Sequence, residues 1–240
     1  MTADYSGKST VNEIRERFDS DVDRFADLHT GQQSTVDAPL TLELITDAAK
    51  GVNPSSKTLL DIGCGAGNYT LKMLHKIPNL DCTLVDLSLP MLDRAKERAA
   101  SATNGEIRII QSDIREINLP ANCYDIVLAG AVLHHLRDEE EWELVFNKIF
   151  LALKTGGSFW ISDLVIHESE EINALFRDKY GEYLESIGGA AYREKVLAYI
   201  EKEDTPRSVN FQLEMMKKVG FSKVEVLHKH LCFAAFGGIK

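Results

Sequence analysis

Apolar positions along this chain recur with two alternating periods. Short β-branched and apolar runs close on Leu60, Asp86, Asp113 and Gly130, and a fifth covers Ser158–Asp163. Between them, at 39–50, 68–76, from Leu89 and over 139–153, the pattern shifts to helical spacing. Strands separated by helices predict βαβ units and an open, largely parallel α/β sheet. Lys154-Thr-Gly-Gly157 reads as a glycine C-cap on the 139–153 helix.

The two ends depart from this rhythm. Residues 1–8 are polar, whereas Val11, Ile14, Phe18, Val22 and Phe25 predict one helix over 11–25. We read residues 1–38 as a helical cap over the mouth of the sheet's site, with a packed surface helix as the plainer alternative. Residues 39–240 form the main domain. Within it, 165–203 are rich in charge, carry Phe176, Tyr180, Tyr183, Tyr192 and Tyr199, and predict two or three inserted helices. A helix at about 207–219, a turn at Gly220 and strands near 222–228 and 230–239 complete the chain.

Candidate chemistry gathers at the strand ends. The segment Thr58-Leu-Leu-Asp-Ile-Gly-Cys-Gly-Ala-Gly-Asn68 sets Asp61, Gly63, Cys64, Gly65 and Gly67 between a strand and a helix. Glycines let a backbone press against a ligand, and a helix beginning there aims its N-terminal amides at the turn. Asp86 follows at the distance where a βαβ unit places a ribose-binding acid. Each piece has a plain alternative. The glycines can be only a tight turn, Asp86 or Ser88 can cap the helix from Leu89, and Asp113 can be a loop residue. Order and spacing together argue for a nucleotide-type site. The loop has neither Gly-x-Gly-x-x-Gly nor Gly-Lys-Ser/Thr. A carboxylate at Asp61, ahead of the glycines, would repel a pyrophosphate and suit an ammonium group.

On these residues the stretch from Lys57 to Trp160 resembles the class I S-adenosylmethionine-dependent methyltransferases. The resemblance implies a Rossmann-like, seven-stranded, mostly parallel sheet with a C-terminal antiparallel hairpin. It also makes 1–38 an N-terminal helical cap and 165–203 a helical lid inserted after strand 5. The implied cofactor is S-adenosyl-L-methionine, with S-adenosyl-L-homocysteine as product. By the same resemblance Asp61, Gly63, Cys64, Gly65 and Gly67 approach the methionine and ribose portions. Asp86 bonds both ribose hydroxyls with Leu87 beside the adenine, and Asp113 bonds the adenine amine next to Ile114. Ala129 and Gly130, with His134 and His135, lie beside the reactive sulfonium.

Composition then sets limits. The 240 residues are 44% hydrophobic, enough for one large domain with an insertion. A net charge of −10 argues against a broad nucleic-acid-binding face. Cys64, Cys82, Cys123 and Cys232 are scattered without a Cys-x-x-Cys pair, so neither a disulfide framework nor a metal site is expected. No signal-type or membrane-spanning stretch is present, and a soluble, cytoplasmic enzyme without a membrane partner is expected. A homodimer is compatible with the sequence.

The acceptor is the open question. His134 and His135 are candidates for a catalytic base or for orienting the acceptor, against a structural role in their loop. Arg177, Tyr180, Tyr192 and Arg193 are candidate pocket residues for a small-molecule acceptor, against core packing. No Asn/Asp-Pro-Pro-Tyr/Phe motif follows the fourth strand. Arg17–Arg24, Ser208–Phe221 and Cys232–Ile239 resemble the branch containing the carboxy-S-adenosylmethionine synthases of tRNA wobble-uridine modification and their uncharacterised methyltransferase relatives. The basic residue those synthases use falls near Leu197 here, with Arg193 one helical turn away. Methyl transfer to an oxygen or nitrogen (or a carbon or sulfur) of a small molecule is therefore expected. A carboxy-S-adenosylmethionine synthase, a non-catalytic S-adenosylmethionine-binding regulator and a dehydrogenase are the alternatives.

Overall fold

The computed structural model describes residues 5–240, with the backbone alone for Leu28 and His29. Seven strands form one sheet in the order β3-β2-β1-β4-β5-β7-β6. They are β1 (Thr58–Ile62), β2 (Asp81–Asp86), β3 (Ile107–Gln111), β4 (Tyr124–Gly130), β5 (Leu153–Leu164), β6 (Lys223–His230) and β7 (Phe233–Ile239). The first five run parallel, and β7 is antiparallel to both β5 and β6. The sheet is thus the mixed, mostly parallel, Rossmann-like sheet expected.

Helices cover both faces because the strands are apolar on both, as parallel strands buried on two sides must be. On one face α4 (Ala38–Val52), α5 (Asn68–Lys76) and α6 (Leu89–Ala100) bury Ile45, Met73 and Leu92 against Leu59, Leu84 and Trp160. On the other, α7 (Glu139–Ala152) and α9 (Val209–Val219) pack Trp142, Phe146 and Met216 against Val127 and Phe159. The parallel register aligns Ile62 with Val85 and Ala129, Asp86 with Gln111, and Gly130 with Ser162. All five carboxyl ends therefore meet along one edge of the sheet, where ligands bind in such folds.

Two segments differ from the sequence reading, and the insertion keeps to it. The helix expected over 11–25 divides into α1 (Val11–Asp19) and α2 (Val22–Ala26), followed by the short α3 (Leu28–Gly31). Thr10 and Glu13 form a capping box at the start of α1, whereas Asp19-Ser20-Asp21 supplies side chains that compete with helical hydrogen bonds. Residues 154–157 do not cap α7. Its C-cap is Leu153, in extended conformation, and Gly156 and Gly157 already belong to β5. There they exchange backbone hydrogen bonds with Lys240 at 3.1 and 2.9 Å. The insertion is α8 (Glu170–Glu203), two helices joined at Gly189, whose φ of 76° no helix accommodates.

Candidate functional site

A cavity of about 680 Å³ opens at the carboxyl edge of the sheet. Its floor is the glycine loop after β1, including Gly63, Cys64 and Gly65. Gly65 has φ 51°, and a Cβ built on it would meet no atom within 4 Å, so its backbone faces open space. Gly130 closes β4 against the ring of Tyr69, where a Cβ would sit 2.4 Å from Cε2. Only a glycine permits that approach.

Asp86 forms one wall. Its Oδ2 accepts the Gly65 amide at 2.8 Å and its Oδ1 accepts the Ser88 amide at 2.9 Å. Burial pushes its pKa up, against the opposing pull of those amides. Ser88, not Asp86, caps α6, its hydroxyl accepting from Met91, so the acid is left to face the cavity. Leu87, Asp113 and Ile114 line the same end. Asp113 is clasped by Arg115, whose Nη2 lies 2.6 Å from Oδ2 and Nε 3.0 Å from Oδ1. Burial would raise the Asp113 pKa, but Arg115 outweighs it and holds it low. Arg115 in turn reaches Glu141 on α7 at 2.9 Å.

The opposite end is a polar cluster. His134 is buried, and its Nδ1 makes a short contact with Asp163 Oδ1. Asp163 also accepts the amides of Leu133 and Leu164, each at 2.8 Å, so its carboxylate is fixed. Asp204, at the end of α8, brings Oδ1 to 3.7 Å from His134 Nε2 and 3.3 Å from His135 Nδ1. Neither approach has hydrogen-bond geometry, and Asp204 Oδ1 and both ring nitrogens of His135 are buried without a hydrogen-bond partner. Burial alone would lower the His134 pKa, but Asp163 and Asp204 lift it to about 9. Burial and the neighbouring His134 hold His135 below its ordinary value. Asp204 is kept low, its two histidines outweighing burial.

The roof comes from α1 and from α8 with the turn that follows it. Phe18 on α1 meets the His135 ring edge-on at 6.3 Å. Arg17 forms an ion pair with Glu203 at 2.9 Å and also reaches Tyr199. Tyr180 and Tyr192 of α8 line the cavity, Tyr180 donating its hydroxyl to Ser34 O at 2.8 Å. The amide of Thr205 donates to His134 O at 2.7 Å, tying the end of α8 to the histidine turn.

Five of the sequence candidates lie elsewhere. Asp61 does not face the cavity: it is 1% exposed and its Oδ2 accepts the Thr70 hydroxyl at 2.5 Å. Its carboxylate therefore exerts no direct repulsion at the ligand, because Thr70 of α5 supplies a nearer partner. Gly67 is the N-cap of α5 and packs on Ala95 of α6. Ala129 is wholly buried in the sheet core. Arg177 pairs with Glu201 at 3.3 Å beside a second cavity of about 160 Å³, which Leu197 also lines. Arg193 lies against Gly181 within α8 and pairs with Glu185 at 3.1 Å. Asp163 and Asp204 are site residues that the sequence patterns did not single out. Asp163 closes its strand as Asp86 does and was open to the same reading, whereas nothing in the sequence around Asp204 marks it.

Residues 59–157 match the family described as a methyltransferase domain. The carboxy-S-adenosyl-L-methionine synthase of Nautilia profundicola is 28% identical over 203 residues, 83% of this chain and 84% of that protein. An O-methyltransferase family protein from Burkholderia thailandensis superposes with a TM-score of 0.69 at 16% identity, over 98% of this chain and 65% of that one. Human N-acetylserotonin methyltransferase, solved with S-adenosylmethionine, gives a TM-score of 0.62 at 16% identity over 98% and 63%. The chain thus spans just under two thirds of the length of these two structures. Its sheet order, its glycine loop and these likenesses agree: residues 59–157 carry a methyltransferase domain, and the chain is similar to the class I S-adenosylmethionine-dependent methyltransferases.

Proposed function

We propose that this enzyme transfers the methyl group of S-adenosylmethionine to an oxygen or nitrogen atom of a small molecule enclosed in the same cavity. One observation carries the reading: the glycine-loop end and the His134–His135–Asp204 end are two walls of a single chamber. Its volume lies within the roughly 300–1,000 Å³ usual for small-molecule sites.

The donor end suits the cofactor. The Gly65 backbone borders open space that a Cβ would enter, and Asp86 and Asp113 are acids held in place by their neighbours. Asp86 would accept the ribose hydroxyls, a charge-assisted contact. Asp113 would accept the adenine amine beside Leu87 and Ile114. The bound cofactor supplies a methyl carbon already attached to a sulfonium leaving group, so the chain's task is mainly alignment. The unpartnered polar atoms of His135 and Asp204 would hold the acceptor heteroatom. Residues of α1–α3 and α8 would keep water out, acting as the cap and lid, which strengthens every electrostatic contact inside.

Among the described residues no helix is long and apolar enough to cross a membrane. All four cysteines are unpaired, which supports placing the enzyme in the reducing cytoplasm.

Carboxymethyl chemistry is the second reading, favoured by the Nautilia profundicola relative. It needs a cation for the added carboxylate. Leu197 stands at the expected position, and Arg17 and Arg115 are already engaged by Glu203 and Asp113, which leaves Lys195 as the lining cation such chemistry would call on. Two measurements decide. A cofactor labelled in its methyl group, incubated with an acceptor collection, should pass label to an oxygen- or nitrogen-bearing product. A mass spectrum of the ligand released from the purified protein should show the unmodified cofactor or its demethylated product. A species heavier by one carboxylate would replace the first reading with the second.

A further inference from the structure

We propose that His134, His135 and Asp204 form a site for a divalent transition-metal ion at the acceptor end of the cavity. The inference rests on the proposed function only in calling that end the acceptor's.

Three observations carry it. The first is the donor set. One nitrogen from each histidine and one oxygen of Asp204 lie within 4.8 Å of one another. Two imidazoles and a carboxylate suit zinc, iron(II) or cobalt(II), and not the oxygen-preferring magnesium or calcium. The second is spacing. Metal–ligand bonds of 2.0–2.2 Å around a tetrahedral ion place neighbouring ligand atoms about 3.3–3.6 Å apart. The Asp204 oxygen lies 3.3 Å from His135 Nδ1 and 3.7 Å from His134 Nε2.

The third observation is the lack of any other partner. Asp204 is 4% exposed, yet its Oδ1 makes no hydrogen bond, nor does either nitrogen of His135. Buried polar atoms left so are costly, and a shared cation would satisfy the carboxylate and one imidazole together. His134 is already set for such a role. Its Nδ1 is engaged by Asp163, which fixes the ring and leaves Nε2 toward Asp204. A carboxylate behind a ligating histidine is a regular feature of metal sites. The backbone holds the three together, since Thr205 N donates to His134 O and the Thr205 hydroxyl reaches Leu136 O.

The other charges nearby leave room for the ion. Arg17 is taken by Glu203, and Arg137 Nη1 donates to Glu203 O at 2.6 Å. Three protein ligands leave at least one coordination position open, and all three residues line the cavity. The substrate class that follows is an acceptor able to bind a metal through the oxygen or nitrogen it presents.

The test uses cobalt(II) as a coloured probe and zinc as competitor. A second histidine–aspartate group, Asp37 with His228 and His230, lies on the surface. The measurement is therefore made in the full chain carrying His228→Ala and His230→Ala. Expected is one equivalent of cobalt with the intense visible absorption of a low-coordinate site, lost on adding zinc. Asp204→Asn and His135→Ala should abolish it, and Asp163→Asn should weaken binding about 10–100-fold. Absence of the absorption, or the same cobalt binding in Asp204→Asn, overturns the proposal. Circular dichroism confirms that each variant is folded, and the cobalt spectrum of the parent protein decides the question even where a variant does not fold. Calorimetry with S-adenosylmethionine on the same samples separates the two readings: cofactor binding without cobalt removes the metal site alone, and cobalt without cofactor binding removes the proposed function alone.

Discussion

Asp86 accepts the backbone amide of Gly65 at 2.8 Å, and this bond joins the acid closing β2 to the glycine loop leaving β1. The two parts of the proposed cofactor site are therefore one unit. Moving either moves the other.

Asp86→Ala should consequently act twice, removing a charged acceptor for the ribose and releasing the loop. Affinity for S-adenosylmethionine is expected to fall by about 1.5–3 kcal/mol, the range for a hydrogen bond to a charged group. Calorimetric titration of the folded variant measures it, and unchanged affinity would remove the ribose assignment.

Asp61 gives a stability prediction with a definite sign. Burial lifts its carboxyl from 3.8 to about 7, with the Thr70 hydroxyl opposing. A folded pKa above the unfolded one means that the folded state binds the proton more tightly. The associated stability is complete below pH 4 and is lost as pH rises through 7. Its size is of order 4 kcal/mol at most, from about 1.4 kcal/mol per pH unit. Urea midpoints of wild type and Asp61→Asn, compared from pH 4 to 8, should converge in slope above pH 7 and diverge below it. Parallel curves over the whole range would refute the assignment.

Arg17 should govern the closed state of the roof. It joins α1 to Glu203 and Tyr199 near the end of α8, beside Asp204. Arg17→Ala leaves a largely buried carboxylate without its partner, a loss of about 1–3 kcal/mol. Amide exchange over 199–205 should accelerate while the central strands stay protected, and turnover should fall. If exchange there is unchanged, the cap and lid are not joined through this pair.

Gly130 tests the close approach beneath the site. A Cβ would lie 2.4 Å from the Tyr69 ring, and Tyr69 is too buried to swing away. Gly130→Ala should destabilise by about 1–3 kcal/mol through overpacking and shift the cavity floor. A thermal melt and a cofactor titration together show whether the damage is global or confined to the site. Wild-type values in both would mean that Tyr69 has room to move.

Much of the fold was legible because its signal is local. Apolar runs ending on Asp86, Asp113 and Gly130 are strands whatever surrounds them, and parallel pairing brings their ends to one edge. The glycine loop was legible for the same reason, since backbone freedom is written in the residue itself. The break in the first helix and the strand role of Gly156 and Gly157 were less so. Each depends on a partner far along the chain, as when Lys240 takes both backbone groups of the 156–157 pair.

The sequence by itself determined the sheet, the carboxyl-edge position of Asp86 and Asp113, and the cofactor that such an edge accepts. Only the tertiary structure decided which way the charges face. It turned Asp61 inward to Thr70, and it put Arg177 and Arg193 into ion pairs outside the cavity. It also brought Asp163 and Asp204 to the two sides of His134 from 29 and 70 positions away. The direction of a side chain is set by the packing of elements distant in sequence, and no local pattern records it.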